Sequence, residues 1–143
     1  MSLVRFGRRV SLPPPVRVAL ESLFGADVDK VEIIEHSWFA RLHLRAIATT
    51  RFRRIYLRDS AADFFENPTL MLHEYCHVLK QWEPGTMTVA RYLGECLRRG
   101  YWDNRFEIEA REFAEDHVYR FRAMLSRSPQ QSFAAIQATG KQR

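Results

Sequence analysis

The sequence predicts an α+β fold, with a small early sheet or hairpin and a mainly helical second half. Residues 31–57 contain short β-branched and alternating segments that are typical of strands. The second half carries capping residues, helix-ending glycines and apolar residues at helical spacing. With 143 residues, 46% of them hydrophobic, the chain is long enough for one core and too short for two ordinary domains.

Three parts of the chain are expected. Residues 1–10 read as an extended N-terminal arm, residues 11–127 as a single domain and residues 128–143 as a polar, flexible tail. No stretch reaches the roughly 18 apolar residues of a membrane span, and the N-terminus lacks the apolar run of a secretory signal. We therefore expect a protein that is cytoplasmic as synthesised, with no membrane partner.

The elements of the first half are short. A helix is expected after the proline-rich segment Ser11–Pro15, and Gly25 is a natural end for it. Val31–Ile34 is β-branched and predicts a strand. Thr50–Leu57 alternates and predicts a second strand with one arginine-rich face. The segment Trp38–Ile47 fits neither the helical nor the strand period.

Three helices are predicted in the second half. Asn67 and Pro68 form a cap followed by proline at the first helical position, and Gly100 ends the second helix. Asn104 caps the third helix, with Glu107 placed to complete a capping box. The predicted helices span residues 67–82, 86–99 and 104–126.

The motif His73-Glu74-Tyr75-Cys76-His77 lies inside the first of these helices. Residues four apart share a helix face, so the two imidazoles can meet at one point, and neutral imidazoles suit Zn²⁺. Glu74 is placed to take a proton from a water held by the metal as that water attacks a carbonyl. The motif therefore predicts a zinc-dependent hydrolase, with His73 and His77 as ligands and Glu74 as general base.

A catalytic zinc site needs a third protein ligand, and the spacing leaves several carboxylates open. Glu83 follows the second histidine by six residues, where metzincins place a ligand, but Lys80 stands where those proteins need glycine. Periodicity puts Glu107 and Glu109 at opposite edges of the apolar stripe of the third helix, and Glu112 further out. The candidates are Glu83, Glu107, Glu109, Glu112 and Asp116.

Together with the later segment Glu109–Ala114, the histidine helix resembles the gluzincin-type pattern of a histidine pair followed by a Glu-Ala-x-x-Phe-Ala helix. The chain also resembles the domain of unknown function associated with toxins of bacterial extracellular contractile injection systems. Leu23–Asp27, Ile55–Leu57 and the proline-rich start add to this likeness, which covers roughly residues 11–116. The resemblance implies a metallopeptidase-like domain with a peptide or protein substrate, and it implies Glu109 as the third zinc ligand.

Five further residues of the second half are weighed as supporting groups of the site. Asp116 is placed to accept a hydrogen bond from a ligand histidine. Tyr101, His117 and Tyr119 are candidates for stabilising an oxyanion, although each is better explained as a packing residue. Cys76 is expected to be a small buried apolar residue rather than a reactive thiol.

Two alternative functions stay open. The domain is short, which suits a non-catalytic zinc-containing binding or scaffold module. The net charge of +5 and the arginine-rich segment 51–58 also suit an arginine-rich nucleic-acid-binding domain. Arginine-rich faces are more often simply solvated, and no zinc-ribbon cysteines accompany this one, so nucleic acid is not expected as the partner.

Overall fold

The computed structural model describes residues 7–38, 40 and 48–127. Its strands are β1 (Arg8–Val10), β2 (Glu32–Glu35), β3 (Ala48–Arg51) and β4 (Arg54–Leu57). Its helices are α1 (Pro14–Phe24), α2 (Ala61–Phe65), α3 (Pro68–Cys76), α4 (Val89–Arg99) and α5 (Arg105–Ser126). A 3₁₀ turn covers Ala26–Lys30, and the π-helical turn His77–Trp82 continues α3. The predicted α+β class is confirmed.

The four strands form one mixed sheet in the order β1-β2-β4-β3. Residues 8–10 of the expected arm are therefore part of the sheet, because β1 pairs antiparallel with β2. β2 runs parallel to β4, and β4 pairs antiparallel with β3. β1 and β3 are the edge strands of the described sheet. The rest of the expected arm, residues 1–6, and the expected tail, residues 128–143, lie outside the described residues.

The prediction of one strand over Thr50–Leu57 is wrong. The segment contains the last two residues of β3, the turn at Phe52 and Arg53, and the whole of β4, and Phe52 has a φ of 54°. Such a backbone usually needs glycine or asparagine, so an aromatic residue between alternating residues does not signal a turn. The ambiguous segment Trp38–Ile47 lies largely outside the described residues.

The helix caps of the second half follow the sequence closely. The side chain of Asn67 accepts the backbone N–H of Leu70 at 3.1 Å, as a cap of α3 should. α4 begins three residues later than predicted, because Thr88 caps it by accepting the N–H of Arg91 at 3.2 Å. Gly100 follows α4 with a φ of 78°, which glycine adopts without strain. The short helix α2 had not been predicted.

The core lies where α1, α3 and α5 pack together against the sheet. Its fully buried side chains include Leu20, Ile55, Leu72, Tyr75 and Phe121. α3 and α5 lie against each other over much of their length. This pairing brings side chains of α5 beside the histidine face of α3. No helix in the described part of the chain is both long and apolar enough to cross a membrane.

Candidate metal centre

The two motif histidines meet at one point. His73 lies on α3 and His77 begins the π-helical turn, one helical turn further on. Their Nε2 atoms are 3.0 Å apart and the rings stand almost perpendicular, at 84°. The four-residue spacing of the motif thus brings the two imidazoles together on one helix face, as predicted.

Glu107, from α5, brings a carboxylate to the same point. Its Oε2 lies 3.0 Å from Nε2 of His73, and its Oε1 lies 3.5 Å from Nε2 of His77. These three residues form a group whose possible ligand atoms all lie within 4.8 Å of one another. Zinc bonds of about 2.0–2.1 Å at tetrahedral angles would separate ligand atoms by about 3.3 Å. The two imidazoles and one carboxylate therefore fit a catalytic zinc site in both donor type and spacing.

The structure brings Glu107, and not Glu109, to the histidine pair. Glu109 lies two residues further along α5, on a different side of the helix, and its side chain is exposed. The capping-box role expected for Glu107 is replaced by this contact, because the backbone N–H of Asn104, which the glutamate of a capping box would accept, donates to the carbonyl of Tyr101 at 3.3 Å. Glu112 is also exposed, and Glu83 pairs with Arg53 at the surface.

Hydrogen bonds hold Glu107 in its charged form. Burial by itself would raise the pKa of this carboxyl, but hydrogen bonds from His73, His77 and Tyr92 outweigh burial and hold the pKa well below its usual range. Burial would lower the pKa of His77, yet Glu107 and the charge of Glu74 together raise it. The cluster is a charged, hydrogen-bonded unit in a mostly buried setting.

Glu74 lies beside this cluster and faces the same cavity. Only 5% of the residue is exposed, and desolvation raises the pKa of its carboxyl against the opposing effect of the two histidines. A raised pKa makes a carboxylate a better proton acceptor near neutral pH. Its position and environment suit the role that the motif predicts for it.

Gln81 is a supporting residue that the motif did not indicate. Its fully buried side chain accepts the Nδ1–H of His77 at 2.6 Å and donates to the backbone carbonyl of Phe106 at 2.9 Å. When the imidazole of His77 is neutral, the first bond favours the tautomer with the proton on Nδ1, in which the Nε2 lone pair points at the cluster and can bind a metal. The second bond ties the π-helical turn to the start of α5.

Two tyrosines face the carboxylate of Glu107. The hydroxyl of Tyr92, on α4, donates to Oε1 at 2.8 Å. Burial and the charge of Glu107 raise the pKa of Tyr92, and burial raises that of Tyr101 to about 12, so both hydroxyls stay protonated. Tyr101 also lines the cavity, where its hydroxyl can donate a hydrogen bond. His117 is stacked on Phe113, outside the cavity lining.

The remaining predicted positions lie away from the cluster. Asp116 and Tyr119 are both exposed. Cys76 is fully buried and burial raises the pKa of its thiol to about 12, which confirms its interpretation as a small core residue. Both cysteines of the chain are free.

A cavity of about 1080 Å³ opens onto the cluster. The edge strand β3 contributes Ala48, Thr49 and Thr50 to its lining, and α4 contributes Val89, Tyr92, Leu93 and Cys96. The indole N–H of Trp82 donates to Thr50 Oγ1 at 3.2 Å, which joins β3 to the end of the histidine helix. The cavity is large enough for several residues of an extended ligand.

A second cavity, of about 770 Å³, lies at the arginine-rich hairpin. Two of its arginines are already paired with carboxylates. Arg53 forms two hydrogen bonds to Glu83, at 2.7 and 2.9 Å, and Arg54 forms one to Glu32 at 2.9 Å. These pairs neutralise much of the local positive charge and weaken the case for a phosphate-binding surface.

The family of the chain follows from its sequence match. Residues 11–85, just over half of the chain, match the eCIS core domain. The chain belongs to the eCIS core domain family, which links it to extracellular contractile injection systems. The matched region contains both histidines and Glu74 and ends before Glu107. No curated protein and no solved structure was found to match the chain.

Proposed function

We propose that this protein is a zinc-dependent hydrolase, and specifically a metallopeptidase. One observation carries the proposal: His73, His77 and Glu107 converge with ligand-like spacing, and Glu74 faces the same open cavity. Two imidazoles and a carboxylate are a ligand set of catalytic zinc sites, which keep a fourth position open. Glu107 replaces Glu109 as the proposed third ligand.

The residues of the chain divide the work of hydrolysis between them. His73, His77 and Glu107 would hold Zn²⁺, which supplies Lewis acidity and lowers the pKa of water when bound. Glu74 accepts a proton from the attacking water and returns it to the nitrogen of the departing amine. Tyr101, protonated and facing the cavity, is placed to donate to the developing oxyanion.

The edge strand β3 supports a peptide as the substrate. In the described part of the chain β3 is paired with β4 alone, and its residues Ala48–Thr50 line the cavity. The free backbone N–H and C=O groups of an edge strand can pair with an extended peptide. A peptide bound in this way would pass in front of the metal cluster.

The substitution Glu74→Gln tests the proposal. Zinc measured by mass spectrometry in protein purified without chelator should stay near one equivalent, whereas cleavage of a peptide library should fall at least about 100-fold. Glu109→Gln is a matched control, because that side chain is exposed and outside the cluster, and it should leave both measurements unchanged. If the Glu74→Gln variant cleaved peptides at the wild-type rate, the assignment of Glu74 as general base would be wrong.

A non-catalytic zinc module is the second candidate, because the same cluster can bind zinc without turnover. It predicts one equivalent of zinc and no cleavage of any library peptide by the wild-type protein. The ion pairs of Arg53 with Glu83 and of Arg54 with Glu32 argue against nucleic-acid binding by the arginine-rich hairpin.

A further inference from the structure

The helix α4 exposes the face that an amphipathic helix normally buries. Val89, Leu93 and Leu97 are spaced four residues apart and lie on one side of it. A stripe of this kind usually packs into the core. Here Leu93 is 55% exposed and Leu97 is 89% exposed, while Glu95 is the one buried residue of α4, all of which is described. Packing within the described fold therefore does not explain the apolar face.

The first half of this face is turned toward the metal cluster. Val89, Tyr92 and Leu93 line the cavity, and Leu97 does not. The hydroxyl of Tyr92 donates to Glu107, and the next residue, Leu93, lines the same cavity as the cluster. The side-chain amide of Asn104 donates to the backbone carbonyl of Tyr92 at 3.2 Å, which holds this part of α4 in place. The apolar face is thus continuous with the proposed active site.

The chemistry of the cavity favours an apolar ligand side chain. Met87 and Trp82 extend the apolar surface formed by α4. Apart from the cluster and Glu74, Arg51 is the one charged residue among the described residues that line the cavity. A charged ligand side chain placed against α4 would lose its water without gaining a partner, whereas an apolar side chain would gain from its burial.

We infer that the α4 wall, defined as Val89, Tyr92 and Leu93, is a specificity surface. This wall contacts a bulky apolar side chain of the peptide, such as leucine or phenylalanine. That side chain belongs to a residue that adjoins the bond to be cleaved. The inference rests on the proposed function, because the side chain that it places against the α4 wall belongs to the proposed peptide substrate. Leu93 is the central contact, and the rest of the apolar stripe at Leu97 has no part in it.

Amino-acid hydroxamates bound to the zinc-loaded protein test this inference without requiring turnover. The hydroxamate group binds the metal in each compound, so differences in affinity report the side chain alone. Leucine and phenylalanine hydroxamates should bind at least about tenfold more tightly than glycine hydroxamate, and aspartate hydroxamate should gain nothing. Equal affinity for the glycine and leucine compounds would overturn the inference.

Two matched variants locate the effect. Leu93→Glu should abolish the preference for leucine hydroxamate, while Leu97→Glu, on the same helix and more exposed, should keep it. Both side chains are exposed, so thermal unfolding should be similar in the two variants. Equal loss of preference in both variants would overturn the inference. A wild-type dimer that both substitutions dissociate in sedimentation would also overturn it, because α4 would then bind a second copy of the chain.

Failure of the inference and failure of the proposed function give different results. Peptides cleaved by the wild-type protein with no apolar preference beside the cut would overturn the α4 wall and leave the hydrolase in place. A hydroxamate preference that depends on Leu93, without any peptide cleavage, would support the α4 wall and overturn the hydrolase.

Discussion

The cavity beside the candidate metal cluster has two walls, which are held in different ways. The wall formed by α3 and α5 is part of the core, and Leu72, Tyr75 and Val78 beside the histidines are completely buried. The α4 wall is mostly exposed and is joined to the other through polar contacts at Tyr92 and Asn104. Both walls face the same cavity. They differ in the packing behind them.

This difference in packing suits two different roles, metal binding by one wall and contact with ligand side chains by the other. Metal ligands must be held to within fractions of an ångström, which a packed core can do. A surface that contacts varied ligand side chains can tolerate looser packing, and segments with few buried contacts open most easily. We therefore expect substitutions behind the first wall to affect metal binding and stability, and substitutions on α4 to affect ligand preference.

The largest expected effect is the loss of a proposed ligand from the packed wall. Glu107→Ala should reduce bound zinc from about one equivalent to nearly none, because two imidazoles alone form an incomplete site. Glu109→Ala should retain it, since that side chain is exposed and outside the cluster. Metal analysis of the two purified variants makes the comparison, and zinc lost from Glu109→Ala instead would restore Glu109 as the ligand.

Stability separates the two walls next. Leu72→Ala should lower the free energy of unfolding by about 2–5 kcal/mol, because it leaves a hole in the core. Leu93→Ala should change it by about 0.5 kcal/mol or less, as expected for an exposed side chain. Urea unfolding of the two metal-free variants measures both values. Similar losses would show that α4 is as firmly packed as α3.

The hydrogen bond behind His77 should affect the metal more than the fold. Gln81→Met keeps the length of the side chain but removes both hydrogen bonds, so the imidazole loses its fixed orientation. Zinc affinity should fall by about 10–100-fold in a competition titration with a chelator. An unchanged zinc affinity would mean that Gln81 serves only the packing of the π-helical turn against α5.

The smallest effect is expected at the contact between the walls. Tyr92→Phe removes one hydrogen bond to Glu107, and zinc affinity should fall about three- to tenfold in the same titration, since water can reach this partly exposed position. Tyr119→Phe, on an exposed part of α5, is the control and should have no effect. A loss as large as that of Gln81→Met would show that α4 positions the ligand as firmly as the core does.

Local sequence patterns were sufficient for part of the site. The four-residue spacing of His73 and His77 placed both rings on one helix face, and Asn67 and Asn104 marked the starts of α3 and α5. These features depend on contacts within a few residues, which helix geometry determines. The single strand expected over Thr50–Leu57 shows the limit, because its turn at Phe52 has no local signal.

Longer-range features could not be obtained in this way. Glu107 and Glu109 stand at opposite edges of the same apolar stripe, and only the rotation of α5 against α3 decides which of them meets the histidines. Gln81 and Tyr92 reach the cluster through the π-helical turn and the placement of α4. A glutamine four residues after the second histidine was the one signal available for Gln81.

By itself, the sequence determined the α+β class, the helix that presents the histidines, and the place of Glu74 beside them, because these depend on the periodicity of one segment. The tertiary structure decided which carboxylate joins the histidine pair, how Gln81 orients His77, and where the apolar wall on α4 lies. Those features join residues that lie far apart along the chain, and their distances are set only when α5 and α4 take their places around α3.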